Sequence, residues 1–102
     1  MTIKEVEQCL NVPRATVRFY EKEGLLSPVR GENGYREYSE EDVVQLKKII
    51  ILRKLGFAVS DIEDVLDGAK PLSQAVEENI VNLEKQIEEL KGALFVCHKL
   101  QE

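Results

Sequence analysis

Apolar residues fall on helical spacing from the first turn of the chain. Ile3, Val6 and Leu10 form one stripe. Thr2 followed by Glu5 has the spacing of a capping box, in which a hydroxyl and a carboxylate each accept from the other's backbone donor at a helix start. Asn11-Val12-Pro13 breaks the pattern. Proline is tolerated in the first turn of a new helix, because the N–H it lacks has no partner there in any case. A second helix is therefore predicted from about Pro13 to Lys22, with Val17 and Tyr20 on one side and Arg14 and Arg18 on another, closed by Gly24. Two short helices joined by a tight turn read as a helix-turn-helix.

The period then changes. Leu25-Leu26-Ser27-Pro28-Val29-Arg30 reads as extended, Glu32-Asn33-Gly34 as a turn on the Asn-Gly hairpin signal, and Tyr35-Arg36-Glu37-Tyr38 as a second strand. Two aromatic residues are expected on one face of that strand and two charges on the other. A β-hairpin after a helix-turn-helix is a wing. Ser39 with Asp42 starts a third helix carrying Val43, Leu46, Ile50 and Leu55 and ending at Gly56. Ser60 with Glu63 starts a short fourth helix with Ile62, Val65 and Leu66, ending at Gly68, and Pro71 opens a long fifth one.

That last helix has a pattern of its own. Val76, Ile80, Leu83, Ile87, Leu90, Leu94 and Cys97 step alternately by four and three, a heptad seam with Val76 at d and Ile80 at a. A rod of that length, on the order of 40–45 Å, outruns what a small domain can cover, so the seam is expected to pair with a second copy. Ile at a with Leu at d favours a parallel dimer in isolation; the e and g positions carry too few charge pairs to fix the orientation. Gly92 is a candidate bend.

Composition bounds the function. The chain has 102 residues, 43% hydrophobic and 32% charged, which suits one small folded domain plus an extension. No apolar run is long enough for a membrane span, and the N-terminus lacks the apolar core of a signal peptide. Cys9 and Cys97 are far apart in helical patterns and read as reduced thiols in a cytoplasmic protein. The net charge of −5 is wrong for a simple nucleic-acid binder, so any such surface has to come from local clustering. Two clusters qualify: Lys47, Lys48, Arg53 and Lys54, and the set Arg14, Arg18, Lys22, Arg30 and Arg36. Acids follow helix-surface spacing, there is one His and no Gly-rich phosphate loop, so no catalytic constellation, cofactor or metal is read. Cys97 and His98 are neighbours about 100° apart on a helix and make a poor ligand pair.

Ala15-Thr16-Val17-Arg18-Phe19-Tyr20-Glu21, Gly24-Leu25-Leu26-Ser27-Pro28-Val29-Arg30 and Asn33-Gly34-Tyr35-Arg36-Glu37-Tyr38 follow in order. After them come Val43, Leu46, Ile50, Leu52, Arg53, Leu55-Gly56-Phe57 and Ile62. This succession resembles the N-terminal domain of MerR-family transcription regulators over residues 1 to about 68. The expected fold is mainly α: a winged helix-turn-helix with a small β-hairpin wing over residues 1–70, then a coiled-coil dimerisation helix over residues 71–102. The resemblance implies an antiparallel coiled coil, against the heptad preference. It implies that the second helix reads the major groove, with Arg14, Ala15 and Arg18 near base edges and phosphates and the hydroxyls of Thr16 and Tyr20 near phosphate. Arg18 reads either a base or a phosphate. Arg30, Tyr35, Arg36 and Tyr38 belong to the wing, the tyrosines part core and part phosphate contact; Arg53 and Lys54 belong to a second wing. Phe19, in mid-helix, reads as core.

Many relatives carry Ser where this chain has Pro13, so a helix cap is given up for a preset φ. Members of the family also continue past the coiled coil into an effector-sensing segment, whereas this sequence runs to Glu102. On that ground operator binding is expected to be indifferent to small molecules and metals. The implied function is a dimeric regulator of double-stranded promoter DNA. It bends and untwists a promoter with over-spaced elements, serves RNA polymerase indirectly and resides in the bacterial cytoplasm at the nucleoid. A freestanding architectural or protein-interaction module is the other reading.

Overall fold

A computed structural model describes all residues, Met1 to Glu102. The order is α1 (Ile3–Leu10), α2 (Arg14–Lys22), β1 (Val29–Arg30), β2 (Arg36–Glu37), α3 (Glu40–Lys54), α4 (Val59–Leu66) and α5 (Leu72–Gln101). The chain forms two compact units, Met1–Leu55 and Gly56–Glu102. The boundary expected at residue 70 falls inside the second unit, between α4 and α5.

In the first unit, helix starts follow local chemistry. Thr2 and Glu5 make the reciprocal capping box at α1, and Ser39 and Asp42 make another at α3. The Thr2 backbone N–H, and then its hydroxyl, donate to the Glu5 carboxylate and hold it below the usual carboxylate range. A group depressed in the folded state contributes stability above its unfolded value and loses it as pH falls through the lowered one. Pro13 is the residue before α2 rather than its first residue; its extended backbone enters the helix and its carbonyl accepts from Thr16 and Val17. The end of α2 is a Schellman closure. Gly24 takes φ +82°, its N–H donates to Glu21 and that of Leu25 donates to Tyr20.

The core of this unit is Val6, Val12, Val17, Tyr20, Leu25, Leu26, Tyr38, Leu46 and Ile49. Within the Ile49-Ile50-Ile51 run it is Ile49 that is sealed, while Ile51 is 58% exposed and Leu55 53% exposed. The core stripe of α3 therefore passes through Leu46 and Ile49 rather than reaching Leu55. The Gln45 side-chain amide donates to the Leu25 carbonyl at 3.0 Å, satisfying the segment that follows α2.

The wing is smaller than the sequence suggests. β1 and β2 pair antiparallel with Val29 opposite Glu37 and Arg30 opposite Arg36. The link is not a two-residue Asn-Gly turn. The Gly34 N–H donates to Gly31 at 2.9 Å, the Gly31 N–H donates to Tyr35 at 2.7 Å, and the Asn33 side chain accepts from the Tyr35 N–H. Gly34 takes φ +82°, a conformation that a Cβ would strain. The two aromatic residues do not share a face. Tyr35 is 73% exposed and Tyr38 is 2% exposed, because an offset of three inverts the side of a period-two strand.

In the second unit, α4 begins at Val59 after Ala58 with no side-chain cap, so Ser60 is inside the helix and is not its cap. Ile62 is sealed and Phe57 and Ala75 are buried. Lys70 ties α4 to α5, 3.6 Å from Asp61 and 2.7 Å from Glu78. Helix α5 runs unbroken for 30 residues through Gly92, about 45 Å at the usual rise. Leu83 lies near Gly56, whereas Leu90 and Leu94 are 66% and 60% exposed.

These burials set an ordering. Ile49→Ala should destabilise the fold by about 2–5 kcal/mol, because a sealed side chain leaves a cavity. Ile51→Ala, on the exposed side of the same helix, should stay within about 0.5 kcal/mol. Urea denaturation measures both, and equal costs would contradict the difference in burial between the two isoleucines.

Candidate nucleic-acid interface

Helix α2 separates its two faces sharply. Val17 and Tyr20 point into the core, and Arg14, Ala15, Arg18, Phe19 and Lys22 are exposed. Ala15, Arg18, Phe19 and Lys22 stand at i, i+3, i+4 and i+7, one face of a helix. Phe19 is not core: it is 45% exposed, since it lies about 200° round the axis from Val17. The Glu7 carboxylate accepts from Arg14 Nε at 2.6 Å, holding that arginine beside α1.

The helix and the wing are joined through one acid, Glu21. Its carboxylate accepts from the Tyr38 hydroxyl and lies 2.7 Å from Arg36 Nε. Burial first, and then the bond to Glu21, raise the Tyr38 phenol above its ordinary value, and the nearby Arg36 and Arg18 only partly oppose this. The Tyr38 hydroxyl is therefore committed inside the fold, and its contribution is to place β2. Arg36 is a third exposed and meets Glu21 through Nε while also lining a hollow with Arg18 and Arg30.

Two hollows on this unit gather most of the sequence-predicted residues. Arg18, Arg30, Tyr35 and Arg36 line one of about 380 Å³, together with Thr2. Arg30 donates to the Gly34 carbonyl at 3.1 Å, which orients it along the wing loop. Thr16, Arg53 and Lys54 line a second hollow of about 490 Å³ together with the edge of Tyr20, an expected phosphate contact that instead is 6% exposed and packs mainly in the core. Arg14 and Ala15 lie outside both, and Tyr38 is withdrawn into the core. Cations thus converge around α2 although the chain as a whole is acidic, and no acid lines either hollow. An arrangement of this kind presents guanidinium forks and hydroxyls to phosphates while one helix face stays open to base edges.

Sequence reasoning misses Glu21. The available signal is that it is the one acid in a helix that also holds Arg14, Arg18 and Lys22. No group of three or more His, Cys, Asp or Glu side chains is placed to hold a metal ion, and Cys9 and Cys97 are free and exposed.

Residues 1–69 match the family model of the MerR HTH family regulatory proteins. The chain belongs to the MerR family. The regulator HmrR of Rhizobium leguminosarum bv. viciae is 31% identical over 112 residues, covering 96% of this chain and 87% of the relative. CueR of Bacillus subtilis is 34% identical over 100 residues, covering 97% and 70%. Among solved structures, EcmrR in its DNA complex in EcmrR-RPo superposes with a TM-score of 0.83 at 28% identity over 99% of this chain. The chain spans 38% of the EcmrR chain. HiNmlR, a MerR-family regulator lacking the sensor domain and bound to promoter DNA, gives a TM-score of 0.65 at 30% identity over 92% of this chain and 77% of its own. As a MerR-family member the protein is a DNA-binding transcription regulator with a winged helix-turn-helix and not an enzyme.

The shared carboxylate makes the stability costs unequal. Glu21→Ala leaves the buried Tyr38 hydroxyl without its acceptor and should cost about 1–3 kcal/mol. Arg36→Ala removes a partly exposed pair and should cost about 1 kcal/mol or less. Adding Tyr38→Phe should recover part of the first loss and none of the second. Denaturant titration of the four variants checks the order, and a larger loss from Arg36→Ala would reverse the roles of the two partners.

Proposed function

We propose that this MerR-family chain works as a homodimer that binds promoter DNA sequence-specifically and distorts it. The observation that carries the reading is the convergence of Arg18, Arg30 and Arg36 around one hollow beside the open face of α2. The helix supplies base contacts from Arg14, Ala15 and Arg18. Arg30, Tyr35 and Arg36 hold the backbone on one flank, and Thr16, Arg53 and Lys54 hold it on the other. Phosphate contacts at two flanks fix the duplex while its deformation cost is read as shape.

Residues 1–70 carry the DNA-binding role and residues 71–102 the dimerising one. The seam of α5 supports this: Val76, Ile80, Ile87, Leu90 and Leu94 are each at least 40% exposed, and Leu83 is 37% exposed. Cys97 continues the line. Apolar side chains at a and d positions over this length are covered when a second helix supplies the facing holes. HiNmlR is bound to promoter DNA and EcmrR is seen with DNA in EcmrR-RPo, which favours promoter DNA as the ligand and RNA polymerase as the indirect partner. No helix is long and apolar enough to cross a membrane. We place the site of action at the bacterial nucleoid in the cytoplasm.

Replacing the exposed Leu90 and Leu94 together by Asp should turn a dimer into a monomer in sedimentation velocity and weaken binding to a selected duplex at least tenfold. Arg36→Ala should lower the slope of log affinity against log salt by about one unit. An unaltered chain that sediments as a monomer at tens of micromolar, about the range of weak association, would remove the dimeric reading. A fluorescence titration showing the full slope in Arg36→Ala would remove the wing from the phosphate contacts.

A further inference from the structure

Phe19 is an exposed aromatic side chain in the middle of α2, on the same exposed side as Ala15, Arg18 and Lys22. The core-facing side of α2 is already filled by Val17 and Tyr20, 0% and 6% exposed. The Phe19 ring leans on the fixed Tyr20 ring, with centroids 5.7 Å apart and planes tilted by 58°, which limits its freedom before any ligand arrives. Ala15 lies one turn earlier on the same face, so the two form a small apolar strip bordered along one side by Arg18 and Lys22.

The flanking cations decide what can cover the strip. An apolar protein partner would have to desolvate Arg18 and Lys22 beside a single ring. A duplex meets those cations with phosphates and acceptor atoms. The major groove presents one apolar group of its own, the C5-methyl of thymine. We infer that Phe19, with Ala15 beside it, is a specificity-determining residue that receives a thymine methyl at one position of each half-site. This inference rests on the DNA-binding reading above and adds a base identity to it. Arg18 and Lys22 anchor the helix at the depth where the ring reaches the methyl, and the ring rejects cytosine at that position by having nothing to offer its exocyclic amine.

The test begins with selection of duplexes from a random pool by the full chain. Each thymine of the enriched duplex is then replaced in turn by deoxyuridine, which removes only the methyl, and affinity is read by fluorescence anisotropy. One thymine per half-site should lose about fourfold in affinity, the scale of one buried methyl, and about fifteenfold when both half-sites are changed together. In Phe19→Ala the same replacements should have no effect, while Phe19→Leu should retain part of the discrimination. Deoxyuridine replacements that are all neutral for the unaltered chain, or an undiminished penalty in Phe19→Ala, would overturn the assignment and leave DNA binding intact. A selection that enriches no duplex at all would overturn the DNA-binding reading together with it.

Discussion

The Glu21 carboxylate is the point on which the DNA-facing unit turns. It sits at the end of α2 and accepts from a buried phenol while pairing with a guanidinium, both on the strand segment that follows the wing loop. A carboxylate with two such partners is desolvated at modest cost, because each lost water contact is replaced by a directed one. Removing Glu21 leaves both the phenol and the guanidinium without that partner, whereas removing either of those leaves the carboxylate one partner. The wing has only two paired residues on each strand, too few to hold its own position. Its placement comes from Tyr38 in the core, from Glu21, and from the paired backbone bonds of 2.7 Å that link Tyr38 and Met1 in both directions.

The rest of the surface follows from that anchorage. With β2 fixed against α2, Arg36 faces the same hollow as Arg18, and Arg30 is held there by the loop carbonyl of Gly34. A chain with a net charge of −5 can thus present a local positive field, because its acids sit on other helix faces or in pairs. In the second unit, Lys70 plays a comparable part between Asp61 and Glu78, the Glu78 bond first raising its affinity for the proton. These are exposed contacts, and they set geometry more than stability.

What can be read from the sequence is what is local. The boxes at Thr2 and Ser39 are complete within four residues, and the five helices, the wing and the apolar seam of α5 follow from spacing alone. Ser60 with Glu63 has the same spacing as a capping box, yet the chain already turns into α4 after Ala58, so a local signal is overridden by where the helix is entered. The Asn33-Gly34 pair does mark a turn. The bonds from Gly34 to Gly31 and from Gly31 to Tyr35 widen it, which a dipeptide signal does not encode. Phe19 is misplaced when residue type is weighed above helical phase, and Glu21 escapes notice because its partners lie 15 and 17 residues further on.

The start of α2 carries a further consequence. Both α1 and α3 begin with a hydroxyl cap and acids in the first turn, but α2 begins after a proline, without a side-chain cap or an acid, and its first residue is Arg14. A cation at the positive end of a helix dipole is electrostatically misplaced, and only Glu7 beside it offsets the mismatch. A helix start of this composition is expected to be locally weak, so exchange with solvent at the first amides of α2 should run ahead of that in α3. A phosphate arriving at that end supplies the missing negative charge. In the DNA-bound state proposed above, contact with a duplex would order that end of α2 at the expense of part of the binding free energy, and exchange protection at Arg14–Val17 would then gauge engagement.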